Sequence, residues 1–180
     1  MYPEYALVCG ETYKLNTDYT VAKSCFEIIN DAGISDEERA LAVIYKLFGF
    51  VPHENGQEFL DKAVLFLKCG REAEDNAENI QPDFDVNFDE GLIQASFQSC
   101  YGIDIDSEKM HWWKFNDLLQ GLDKNSVLSR VREIRNYDLS EIKDTAQRRK
   151  VAQAQAALAL PERITPEEQK QIDWFDSLFD

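Results

Sequence analysis

The sequence predicts a mainly α fold: a compact helical domain of about seven helices with a small N-terminal β-hairpin. Apolar residues recur at helical spacing in segment after segment, each bounded by capping residues. The β-favouring runs that suggest a hairpin lie within residues 5–15, and Ile80, Phe84, Val86 and Phe88 alternate within the acidic segment. Eight glycines and five prolines in 180 residues are too few for a sandwich of many tight turns. At 44% hydrophobic and 12% aromatic, the chain has enough apolar mass for a real core.

Residues 5–15, YALVCGETYKL, hold two short β-favouring runs around Cys9, Gly10 and Glu11. Such a hairpin is marginal alone and must rest on the helices behind it. Thr17 and Asp18 then offer caps, and Val21, Cys25, Ile28 and Ile29 form a stripe ending near Gly33. Ser35 with Glu38 makes a capping box ahead of Leu41, Ile44, Tyr45 and Phe48, with Gly49 as the stop. Residues 57–68 repeat the pattern with Leu60, Val64 and Leu67 before Gly70. Residues 71–90 break it with a run of acids around Pro82, read as a solvated loop. Asp83, Asp85 and Asn87 begin a calcium-loop spacing, but Phe88 stands where the turn glycine belongs and Gln94 replaces the closing glutamate.

The chain is organised around residues 89–122, DEGLIQASFQSCYGIDIDSEKMHWWKFNDLLQGL. Ile93, Phe97, Cys100 and Tyr101 share one helical face, Gly102 ends that helix, and residues 104–107 supply capping oxygens for the next. There His111, Phe115, Leu118, Leu119 and Leu122 form a stripe with Trp112 at its edge. Met110 and Trp113 fall outside it, which nominates them as contact surface for a partner. Asn125 or Ser126 opens a further helix with Val127, Leu128, Val131 and Ile134. Basic residues gather from Lys124 to Lys150, read as solvated faces partly paired with the acidic loop. The alanine-rich VAQAQAALAL follows, ended by Pro161. Thr165 and Pro166 then start a last amphipathic helix within 161–180, whose Trp174, Phe175, Leu178 and Phe179 either fold back or serve as a detachable ligand for a partner's groove. The organisation expected is a single domain over 1–160 and this terminal helix.

The run ASFQSCYGIDIDSEKMHWWKFNDLLQGL, with Ile134 and Arg135 after it, resembles the signature of a bacteriophage family known as gene product fifteen. LNTDYTVAKSCFEIIND resembles that family's opening motif, so the similarity spans roughly residues 12–139. The resemblance implies a protein of the tail module of long-tailed phages and prophages, encoded near the tape-measure gene and acting in tail assembly. It also implies a place in the cytoplasm of the infected or lysogenic host.

Chemistry is sparse. The net charge of −15 disfavours nucleic acid and anionic membrane as partners while favouring solubility. Cys9, Cys25, Cys69 and Cys100 are far apart and only two histidines are present, so neither metal site nor disulfide framework is suggested. No phosphate loop, nucleophile elbow or zinc-binding motif appears, and no cofactor is expected. The favoured expectation is a non-catalytic chaperone that binds the tape-measure protein through apolar helical surface, other tail-assembly proteins and self-association being further options. The alternatives are a structural component of the tail or connector, an acidic nucleic-acid mimic or host-factor inhibitor, and an enzyme gathering His111 or His53 with carboxylates.

Overall fold

The computed structural model describes residues 1–71 and 83–161. The fold is mainly α, with seven α-helices and one antiparallel hairpin among the described residues. These residues form two units. One comprises 1–71 with 110–114, and the other 83–109 with 115–161.

The first unit opens with β1 (Tyr5–Val8) and β2 (Glu11–Lys14), paired so that Val8 faces Glu11. The two-residue turn has φ of 48° at Cys9 and 84° at Gly10, the doubly positive geometry that matches hairpin twist. Helix α1 (Tyr19–Asn30) is capped by the Asp18 carboxylate, which accepts from the Thr20 amide at 2.9 Å. Helix α2 (Asp36–Phe48) carries the expected capping box: Glu38 accepts from the Ser35 amide at 2.9 Å while Ser35 Oγ accepts from the Glu38 amide. Gly49 ends it with φ of 80°. Helix α3 (Gly56–Leu67) follows. Helix α1 packs on α2, α2 on α3, and α3 on β1.

The buried faces differ from the stripes drawn on large apolar residues. Helix α1 buries Tyr19, Ala22 and Cys25, α2 buries Val43, Ile44, Leu47 and Phe48, and α3 buries Phe59, Ala63, Phe66 and Leu67. Helices α1 and α3 also turn Ala22, Cys25 and Ala63 inward, which lets the backbones approach. Ile29, Leu41, Tyr45, Val64 and Leu65 consequently remain exposed.

In the second unit, α4 (Glu90–Tyr101) ends at Gly102 with φ of 68°. Helix α6 (Val127–Asn136) is capped by Ser126, and a short 3-10 turn (Leu139–Glu141) leads to α7 (Thr145–Leu158), capped by Asp144. Helix α7 thus starts six residues before the alanine-rich run, because the Asp144 carboxylate takes the Ala146 and Gln147 amides. Helix α6 packs on both α4 and α7. Ser96, fully buried, joins two of them: its hydroxyl donates to the Leu92 carbonyl at 2.7 Å and accepts the Leu128 amide at 3.1 Å. That amide lies in the first turn of α6 and has no partner within its own helix. Ser96→Ala should cost about 1–2 kcal/mol, the penalty for a buried donor left unmade, read from urea unfolding curves.

Helix α5 (Trp112–Gln120) is divided between the units, its residues through Lys114 belonging to the first and Phe115 onward to the second. Residues 104–107 do not cap it. They close a turn of their own, in which the Asp104 carboxylate accepts from the Ser107 hydroxyl at 2.7 Å, a bond that holds the Asp104 carboxyl below its ordinary range.

Candidate partner surface and the scaffold that frames it

The residues singled out by sequence are chiefly scaffold. Met110 and His111 precede helix α5 and lie in extended backbone: Asp18 and His111 form an antiparallel bridge. The Tyr19 amide donates to the Met110 carbonyl at 2.8 Å, and the Trp112 amide to the Thr17 carbonyl at 2.7 Å. Helical angles therefore do not apply to Met110, and the expectation of an open contact residue is corrected: it is 3% exposed, in the core.

His111 is engaged at both ring nitrogens. Nδ1 accepts the Trp113 amide at 3.0 Å, which makes Nε2 the donor to the Pro3 carbonyl at 2.9 Å. Its ring also stacks on Tyr2, with centroids 5.1 Å apart. A histidine so committed positions the start of α5 and has no nitrogen left for a substrate proton. His53 is exposed in the connection between α2 and α3.

The paired tryptophans share one task. Trp112 Nε1 donates to the Leu67 carbonyl and Trp113 Nε1 to the Phe66 carbonyl, each at 2.9 Å. Those carbonyls belong to the last turn of α3, where the helix itself supplies too few donors. Trp112 is buried and meets the Phe26 ring at 5.5 Å. Trp113 is half-buried, its indole engaged and its six-membered ring lying over Gly70. Phe115, by contrast, works in the second unit, stacking on Phe97 at 5.1 Å. The aromatic cluster that dominates the sequence is thus a structural device, and Trp113 offers a partner little more than a ring edge. Trp174, Phe175, Leu178 and Phe179 lie outside the described residues.

A polar hub in the second unit was not singled out by spacing. Asp89, 1% exposed in its side chain, receives Arg135 through two parallel bonds of 2.7 and 2.8 Å. Arg135 also donates from Nε to the Leu158 carbonyl at 2.6 Å and from Nη1 to the Asp83 carbonyl at 3.0 Å. Asp89 further accepts the Asp85 amide at 3.0 Å. One guanidinium therefore ties residues 83–89 and the end of α7 to α6, and the Asp89 carboxylate holds its pKa above the ordinary arginine value. Arg132 donates to Asp83 at 2.9 Å alongside it. Pairing between the basic stretch and the acidic loop was expected, and among the described residues it comprises these pairs. Asp83 and Asp85, the start of the calcium-like spacing, are occupied instead with Arg132 and with the Asn87 and Phe88 amides.

Two of the four thiols are held in the protonated form. Burial pushes Cys25 up to about 11. Cys9 is raised because its S–H donates to Glu58, whose carboxyl is correspondingly lowered. Both are protonated, weakly nucleophilic thiols at neutral pH. Among the described residues no cluster of histidine, cysteine and carboxylates could hold a metal, and no helix is long and apolar enough to cross a membrane.

Several apolar side chains of the first unit remain open on the surface. Leu41 and Tyr45, one turn apart on α2, are 36% and 56% exposed, and Ile29 on α1 and Val64 and Leu65 on α3 are open as well. Tyr5 and Leu7 project from one face of β1. These side chains belong to the same unit and take no part in its core.

No curated protein and no solved structure matches the chain. The family model described as Bacteriophage Gp15 protein matches residues 5–160. The match takes in the hairpin, all seven described helices, the twin tryptophans and Arg135. The chain belongs to the bacteriophage Gp15 family, whose role is phage structure or assembly.

Proposed function

We propose that the protein is a non-catalytic tail-assembly factor that binds the tape-measure protein as a chaperone, using apolar surface on the first helical unit. The observation that carries this reading is the open pair Leu41 and Tyr45 on α2, with Ile29, Val64 and Leu65 also exposed in the same unit. An amphipathic helix docks by laying such residues into another helix's apolar face. A long, largely helical client must be kept from collapsing on its own copies until the tube forms round it. Masking its apolar stripes lowers the free concentration of aggregating species by mass action. The net charge of −15 then gives each complex a like-charged coat that opposes coalescence. Trp174, Phe175, Leu178 and Phe179 supply, by sequence pattern, a second apolar contact of the same kind.

The test is co-expression with the cognate tape-measure protein. The wild-type chain should raise the soluble fraction of its client, and Leu41→Glu with Tyr45→Glu should abolish that gain. Because both positions are exposed, the thermal midpoint of the isolated double variant should stay within a few degrees of wild type. Unchanged client solubility with and without the wild-type chain overturns the reading. Detection of the protein in purified virions at fixed stoichiometry favours a structural tail component instead.

A further inference from the structure

The second unit carries a groove of about 580 Å³ along α6 whose chemistry the apolar surface does not use. Its lining includes Asp83, Lys124, Arg130, Arg132, Glu133 and Asn136. Lys124 and Arg130 form no ion pair with any described residue. Arg132 is held in place: Nε donates to Asp83 at 2.9 Å, and the guanidinium lies over the Phe84 ring, 4.9 Å from its centroid. Its two Nη groups have no hydrogen-bond acceptor among the described residues. A guanidinium fixed through Nε with both terminal amino groups free is preorganised to receive a carboxylate by parallel bonds.

Two anion classes compete for such a place, phosphodiester and peptide carboxylate. The net charge of −15 opposes both classes alike, so the other groups in the groove decide between them. The groove also holds acceptors. Glu133 is one, and Asn136 is another because its amide nitrogen is committed to Asp83 at 3.0 Å, leaving its oxygen available. Backbone N–H groups of a peptide satisfy such acceptors, whereas a phosphodiester brings only further acceptors. The volume falls within the range that holds a short peptide stretch. We propose that this groove docks an acidic peptide segment of a partner protein, with Lys124, Arg130 and Arg132 taking its carboxylates and Glu133 and Asn136 its backbone amides. This site is independent of the apolar surface on the first unit.

The probe is a fluorescently labelled hexaglutamate peptide, titrated with the full chain and followed by anisotropy. Saturable binding is expected that weakens when salt is raised from about 50 mM to about 300 mM, as charge recognition at a partly open site requires. Lys124→Glu with Arg130→Glu should lower affinity by at least about tenfold, since neither side chain supports the fold and both face the groove. Arg149→Glu with Lys150→Glu, an equal change of charge on exposed residues of α7, should lower it by no more than about twofold. The neutral pair Lys124→Gln with Arg130→Gln should fall between them. Absence of saturable binding, equal losses in the two reversed pairs, or displacement of the peptide by an equal concentration of inorganic phosphate would each overturn the proposal.

Discussion

Arg135→Ala should destabilise the second helical unit by about 3–5 kcal/mol, the cost of removing one member of a buried ion pair. The side chains of Arg135 and Asp89 are 7% and 1% exposed, so the carboxylate left behind has no solvent to replace its partner. Three further acceptors lose donors at once: the Leu158 and Asp83 carbonyls and the second Asp89 oxygen. Asp89→Ala should cost as much, because it strands the guanidinium. The double variant should cost less than the two single losses added together, since neither charge is then left unpaired. Urea unfolding followed by far-UV circular dichroism reads the losses. Amide exchange should place the new openings in α6, α7 and residues 83–89. A loss below about 1 kcal/mol for Arg135→Ala would mean that water replaces the bond and that the hub is ornamental.

Much of this was visible in the chain, and what was not has a definite cause. Caps are local, so Asp18, the Ser35–Glu38 box, Gly49, Gly102 and Ser126 mark helix ends where the structure has them. The hairpin was legible for the same reason, since Cys9 and Gly10 sit between two short β-favouring runs. Faces were harder. Helices α1 to α3 are apolar round more than half their circumference, so large residues alone fit more than one phase. In α1 and α3 the buried face includes Ala22 and Ala63, both fully buried, which are too small to dominate a periodicity. The error was informative, because the large residues that fit the wrong phase are those left open, Ile29, Leu41, Tyr45 and Val64. Residues 110–111 failed differently. Nothing local reveals that Met110 and His111 pair with residues near Asp18, a contact made across some ninety positions. Arg135 stood out only as one of the basic stretch and as part of a family-like pattern, because its partner Asp89 lies 46 residues away.

Trp112→Ala should cost about 3–5 kcal/mol, as for other large buried aromatics, while Trp113→Ala should cost less because its ring is half-buried. Phenylalanine at either position keeps most of the ring but removes the N–H; the Leu67 carbonyl then loses its indole donor, whereas the Phe66 carbonyl keeps the Cys69 amide at 3.0 Å. The loss should then be about 1–3 kcal/mol, with Trp112→Phe the larger since its bond is buried. Gly70 provides the independent check. At φ of 74° any L side chain there is strained, and a Cβ would sit 2.8 Å from Trp113 Cη2. The ring cannot simply swing aside, because its nitrogen is bonded to the Phe66 carbonyl. Gly70→Ala should therefore lose about 1–2 kcal/mol from the left-handed backbone and a further contribution from the collision. In a Trp113→Ala background only the backbone cost remains, so the two substitutions should couple favourably, and the thermal midpoints of the four proteins in the cycle measure it. Strict additivity would mean that the indole does not brace the end of α3. Trp113 would then be free to serve as the contact residue that its place in the sequence suggests.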